Sequence, residues 1–139
     1  MKIEKSVGLI LIILLLFSSV AFTTYYAFKP RELPKEKILK EIGKEEEYLI
    51  LNEGFTLINY YYDEDCEKCM RIKNYLEDLV QTQQFKEIYL NLIKTDTSYP
   101  IAIIANLYNV TKIENFDEKD ITQKICEIMI EPPIECLIE

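Results

Sequence analysis

Cys66 and Cys69, in the run Tyr60-Tyr61-Tyr62-Asp63-Glu64-Asp65-Cys66-Glu67-Lys68-Cys69-Met70-Arg71, are the residues of this chain best placed to do chemistry. Two thiols separated by two residues lie one helical turn apart when they open a helix, so one can attack a disulfide and the other can resolve the mixed disulfide. An apolar, strand-like run from Phe55 to Tyr62 leads into the pair, and an amphipathic helical pattern leads out of it. Both thiols are therefore expected where a strand hands over to a helix N-terminus, where backbone N–H groups and the helix dipole stabilise the nucleophilic thiolate. The spacing alone also fits an inert bridge or half of a metal site, and the strand-to-helix placement is what favours redox chemistry.

Charge around the pair pulls in two directions. Asp63, Glu64, Asp65 and Glu67 crowd Cys66 and disfavour a thiolate, whereas Lys68 and the helix terminus favour it. A less stabilised thiolate makes the disulfide easier to retain, so the expected couple is more reducing than a strongly oxidising one.

The chain has no His, which removes the commonest general base and metal ligand and with it Ser/His, Cys/His and His-based zinc catalysis. A four-cysteine zinc site would need Cys126 and Cys136 beside the first pair, and their spacing across a helix end and a double proline is not that of a compact zinc knuckle. No motif implies an organic cofactor or a bound metal. A net charge of −8 argues against a nucleic-acid partner.

The 139 residues leave room for one soluble domain of about 100 residues beyond an apolar N-terminal stretch. A two-proline linker over residues 29–34 precedes Lys35 to Leu51, where Ile38, Leu39, Ile42 and Leu49 recur at helical spacing and predict a packing helix. The helix after the cysteines is expected from about Cys66 to Thr82, with Cys69, Ile72, Leu76, Leu79 and Val80 as its apolar stripe. Lys86 to Lys94 reads as a second strand. For the next segment, residues 100–108 fit either a helix begun by Pro100 or a strand, Ile101 to Asn106, turning at residues 106–109 into a partner, Val110 to Phe116. The hairpin is preferred, because a two-stranded sheet supports too little core. A last helix is expected after Asp117 as N-cap, with Ile121, Ile125, Ile128 and Met129 inward and Pro132-Pro133 ending it.

Over roughly residues 35 to 130 this order resembles the thioredoxin superfamily. The likeness is carried by the strand Thr56 to Tyr62, by Cys66 and Cys69 opening a helix, and by Pro100 immediately before an apolar strand. The resemblance implies an α/β, three-layer thioredoxin-like fold with a mixed sheet of about four strands. It is a trimmed version, because the three residues between Asp96 and Pro100 cannot form the helix usual there. It also implies that Tyr99 and Pro100 form a backbone platform for the substrate, with a cis bond before Pro100. No Trp precedes Cys66, and the buried acid that many members carry on the first strand has no clear equivalent among Asn59, Tyr60 and Tyr61. Tyr60, Tyr61 and Tyr62 offer an aromatic wall near the thiols, although strand alternation sends at least one into the core.

Cys126 and Cys136 are placed to form a structural bridge that ties the tail to the last helix, which suits an oxidising compartment; two unpaired thiols in a cytosolic domain are the bland reading. Asn109-Val110-Thr111 is a glycosylation sequon, of a kind that also arises by chance. Residues 6–28 carry no charge, and Val7 to Phe22 is rich in Leu, Ile and Val, long enough for a membrane helix, with Tyr25, Tyr26, Lys29 and Arg31 as an interfacial flank. Ser19 and Ala21 also permit a cleaved signal peptide, and a buried core helix is the third reading. Counting Lys2 and Lys5 against Lys29, Arg31, Lys35 and Lys37 would leave the domain cytoplasmic, whereas the cysteines favour the outside.

The expected protein is thus a single-pass membrane oxidoreductase. Residues 1–28 are the anchor or signal, 29–34 the linker and 35–139 an extracytoplasmic domain with a disulfide-tied tail. Its partners would be protein thiols or disulfides and a redox partner that resets the pair. The rival readings are a non-catalytic interaction domain with a structural Cys66–Cys69 bridge, and a metal-handling protein.

Overall fold

The computed structural model describes residues 2–27 and 32–137. Residues 29–31 of the expected linker lie outside the described residues, as do the side chains of Lys2, Lys5 and Tyr26. Two compact units divide at residues 32 and 33. The first holds one helix, α1 (Lys2–Ala27). Its stretch Val7–Tyr25 is long and apolar enough to cross a membrane, and none of it is buried.

The second unit runs β1 (Ile38–Lys40), α2 (Lys44–Asn52), β2 (Thr56–Tyr62), α3 (Glu67–Gln81), β3 (Ile88–Lys94), β4 (Ile101–Ala105), β5 (Val110–Glu114) and α4 (Glu118–Ile128), with short 3₁₀ turns at Gln83–Phe85 and Ile134–Leu137. The strands form one mixed sheet in the order β1-β3-β2-β4-β5. β1 and β2 flank β3 in parallel, while β2 with β4 and β4 with β5 are antiparallel.

Five strands replace the expected four because Lys35 to Leu51 is not one helix. Ile38 to Lys40 pair with Leu90 to Leu92, and the Leu90 N–H donates to the Lys37 carbonyl at 2.8 Å. Covering the open edge of β3 outweighs the helical spacing of Ile38, Leu39 and Ile42, a tertiary override of local pattern. Glu41, at φ 48°, turns the chain out of the strand, and α2 begins only after Gly43.

The sheet buries its two faces unequally. Ile58, Tyr60, Leu90, Leu92, Ala102 and Ile104 point to one side and pack under α3 and α4 with Ile72, Leu76, Ile121 and Ile125, the main core. Leu57 and Tyr89 point to the other side and pack against Ile50 of α2. Strands β2 and β3 are thus buried on both faces, which is why they read as nearly unbroken apolar runs. Asn59 and Asn91, side by side in register, break those runs. They satisfy each other through Asn91 Nδ2, which donates to Asn59 Oδ1 at 2.7 Å, and Asn59 Nδ2 donates on to Glu47 at 3.2 Å.

The hairpin alternative holds for residues 101–114. Asn106 directs its turn, because its Oδ1 accepts the N–H groups of Tyr108 and Asn109, both at 2.8 Å. Its Nδ2 donates to the Ile128 carbonyl, which satisfies an orphan acceptor at the end of α4. That carbonyl is orphaned because Pro132, four residues on, has no N–H to give it, so the helix stops at Ile128 as the double proline requires. Its start is Asp117, whose side chain accepts the Asp120 N–H at 3.0 Å while the Asp120 carboxylate accepts the Asp117 N–H at 3.1 Å.

Candidate active site

β2 ends at Tyr62, and the chain then turns sharply towards α3. Asp63 makes the turn: its Oδ1 accepts the Asp65 N–H at 3.0 Å, and its carbonyl accepts the Cys66 N–H at 3.3 Å. A short side-chain acceptor that bonds the backbone two residues on is the usual device for such a corner. It delivers Cys66 to the N-cap of α3, in extended conformation at φ −90° and ψ 101°.

Cys66 and Cys69 are joined, with their Cα atoms 5.1 Å apart. The Cys69 N–H donates to Cys66 Sγ at 3.1 Å, so an amide of the first helical turn is aimed at the sulfur that caps it. A donor so placed stabilises negative charge on that sulfur once the bond is opened. Cys66 is half-buried and reachable, whereas Cys69 is fully buried. This asymmetry suits an attacking thiol outside and a resolving thiol behind it.

Tyr60 supports the turn from below. Its hydroxyl donates to the Cys69 carbonyl at 2.8 Å, and burial pushes its pKa well above the ordinary tyrosine value. It is therefore a neutral hydrogen-bond donor at physiological pH, stacked on Tyr62 and edge-on to Phe116. The expected aromatic wall is thus divided, with Tyr60 in the core and Tyr61 and Tyr62 half-buried.

The acidic neighbours of Cys66 are partly engaged elsewhere. Glu64 pairs with Lys94 at 2.5 Å, and that bond raises the Lys94 pKa. Asp63 holds the turn, and Asp65 and Glu67 are exposed. Among the described residues no three His, Cys, Asp or Glu side chains gather as a metal site would require.

Pro100 is buried at the same end of the sheet. Ile101 pairs with Tyr61, which sets Pro100 beside Tyr62, at the end from which Asp63 to Cys66 depart. Only residues 95–100 join β3 to β4, with no helix between them, and the Thr95 N–H donates to the Tyr62 carbonyl at 2.9 Å. The expected cis bond is not found, since every described peptide bond is trans. Trans is the ordinary preference even before proline, and the Tyr99 carbonyl accepts from the Thr97 hydroxyl at 2.8 Å. Tyr99 is exposed and lines, with Tyr61, Ile101 and Ile103, an open groove of about 630 Å³.

One residue that the sequence did not single out links these parts. Asn115, at φ 49°, donates its N–H to the Pro100 carbonyl at 2.8 Å, and its Oδ1 accepts from Lys68 Nζ at 3.0 Å. An Asn two residues before a helix cap is a turn signal, because Asn tolerates the left-handed region. Its partner across 47 residues carries no such signal.

Cys126, in the last turn of α4, is joined to Cys136 in the final 3₁₀ turn, with Cα atoms 5.5 Å apart. Both pack against the main core. Asn109 of the sequon is exposed at the hairpin tip.

No family model matches the chain, and no curated protein matches it by sequence. Solved structures do match. Chloroplastic thioredoxin z superposes with a TM-score of 0.52 at 16% identity, over 68% of this chain and 96% of that one. A mutant thioredoxin of Halobacterium salinarum gives 0.54 at 16%, over 75% of this chain and 100% of that one. Malassezia sympodialis thioredoxin gives 0.52 at 8%, over 71% and 96%. The chain has the thioredoxin fold. In this thioredoxin-fold domain the Cys66–Cys69 pair opens α3 directly after the central strand β2.

Proposed function

We propose that the protein is a membrane-anchored thiol–disulfide oxidoreductase that acts on disulfides of exported proteins. The observation that carries this reading is the Cys69 N–H aimed at Cys66 Sγ at the helix N-terminus. In the reducing direction the Cys66 thiolate attacks one substrate sulfur, forming a mixed disulfide and releasing the other as a thiolate. Cys69, deprotonated, then attacks Cys66 Sγ, closing the Cys66–Cys69 bond and freeing the second substrate thiol. Two electrons pass to the substrate, and the oxidising direction is the same sequence reversed. A redox partner restores the pair. Tyr99 and Pro100 serve as the platform for the substrate backbone, Cys126–Cys136 ties the tail, and residues 6–28 anchor the domain on the outer side of the membrane.

Turnover of a model protein disulfide by the wild-type chain, compared with Cys66→Ser and Cys69→Ser, tests the reading. Loss of turnover in both variants, with a trapped mixed disulfide on Cys66 in Cys69→Ser, is expected. Equal turnover in all three would eliminate the oxidoreductase. Labelling of the domain from outside intact cells tests its location, and protection from the label would overturn the outward assignment.

A further inference from the structure

Three contacts join α3 to the chain around α4, and all span 47 residues: Lys68 with Asn115, Arg71 with Glu118 at 2.9 Å, and Tyr75 with Thr122 at 2.5 Å. Lys68, Arg71 and Tyr75, which share one face of α3, thus meet Asn115, Glu118 and Thr122 in the same order, so α3 runs alongside the turn before α4 and its first turns. The first rung differs from the others because Lys68 lies between the two cysteines. Its ammonium, on a half-buried side chain, bonds Asn115, and Asn115 in turn bonds the Pro100 carbonyl. Asp117 also feels the Lys68 charge, after the stronger influence of the Asp120 N–H.

We propose that Asn115 is a positioning residue for the Cys66–Cys69 pair, holding the Lys68 ammonium at the seam between the first turn of α3 and Pro100 and so favouring the reduced form. The inference rests on the oxidoreductase reading and deepens it. Asp63, Asp65 and Glu67 surround the pair with negative charge, and Lys68 is the cation between its cysteines. A lysine left free averages its charge over solvent, whereas one fixed by an amide oxygen keeps it at the first turn of the helix. The left-handed backbone at Asn115 makes this rung possible, because the same residue must turn the chain from β5 towards Asp117 and present Oδ1 to α3.

Asn115→Gly removes the amide while keeping both the left-handed backbone and the N–H that Pro100 uses, so it separates the Lys68 contact from the fold. The experiment measures the thiol–disulfide equilibrium of Cys66–Cys69 against glutathione, in the full chain in detergent, for wild type, Asn115→Gly, Lys68→Met and the double variant. Each single change is expected to move the equilibrium towards the disulfide by about two- to fivefold, the scale of a partly exposed charge contact. The double variant should move no further than the larger single, because both remove one interaction. An Asn115→Gly equilibrium equal to wild type, or an undiminished effect in the Lys68→Met background, overturns the role of Asn115 alone. A wild-type pair that does not exchange with glutathione overturns this inference together with the oxidoreductase reading.

Discussion

Cys66 and Cys126 are both helical cysteines held in disulfides, yet one caps the N-terminus of α3 and the other lies in the last turn of α4. At the first position an amide N–H points at the sulfur and the helix dipole favours a thiolate. At the second, the dipole opposes one. The partners differ as well. Cys69 is three residues away, in the same helical turn, whereas Cys136 is ten residues away and closes a loop through the double proline. The same bond between the same atoms therefore suits exchange in one place and retention in the other.

Substitution of whole pairs should separate the two sites most sharply. Replacing Cys66 and Cys69 with Ser should abolish turnover and leave the fold standing. Replacing Cys126 and Cys136 should leave turnover intact and lower the unfolding free energy by about 2 to 3 kcal/mol, the chain-entropy value for a loop of this length. Denaturant titration beside the activity assay reads both effects, and equal effects from the two pairs would end the distinction.

A smaller effect is expected beneath the first site. Tyr60→Phe removes the donor under Cys69 and should cost about 1 kcal/mol of stability, the usual worth of one buried hydrogen bond. Urea unfolding detects it, and an unchanged midpoint would show that the Cys69 carbonyl needs no support from Tyr60.

The smallest effect concerns the start of α4, the helix that carries the second site. The Asp120 N–H holds the Asp117 carboxyl below its ordinary value of 3.8, with smaller help from neighbouring groups. A group whose folded pKa is depressed contributes stability that is complete above its unfolded pKa and fades as pH falls towards the folded one. Asp117→Asn should therefore flatten the stability profile below about pH 4 and leave its shape at neutral pH unchanged. Thermal melts across that range make the check.

Much of the fold was legible because its signals are local. The Cys69, Ile72, Leu76 and Val80 stripe marks α3, Asp117 marks the start of α4, and the apolar run with Ile88, Leu90 and Leu92 on one face marks β3. What was hidden depends on partners distant in sequence. Ile38 to Lys40 become a strand only because Leu90 to Leu92 offer an open edge far later in the chain, and the carbonyl that Pro132 leaves orphaned at the end of α4 finds its donor in Asn106, 22 residues earlier. At the candidate site, the placement of Cys66 before a helix could be read from the pattern, whereas the role of Asn115 required seeing Lys68 and Pro100 meet on one residue.

The most direct test of the central claim is differential alkylation with mass spectrometry on the full chain, poised in glutathione buffers from oxidising to reducing. Reversible opening of Cys66–Cys69 while Cys126–Cys136 remains joined is the predicted result. Opening of Cys126–Cys136 first, or of both pairs together, would contradict it.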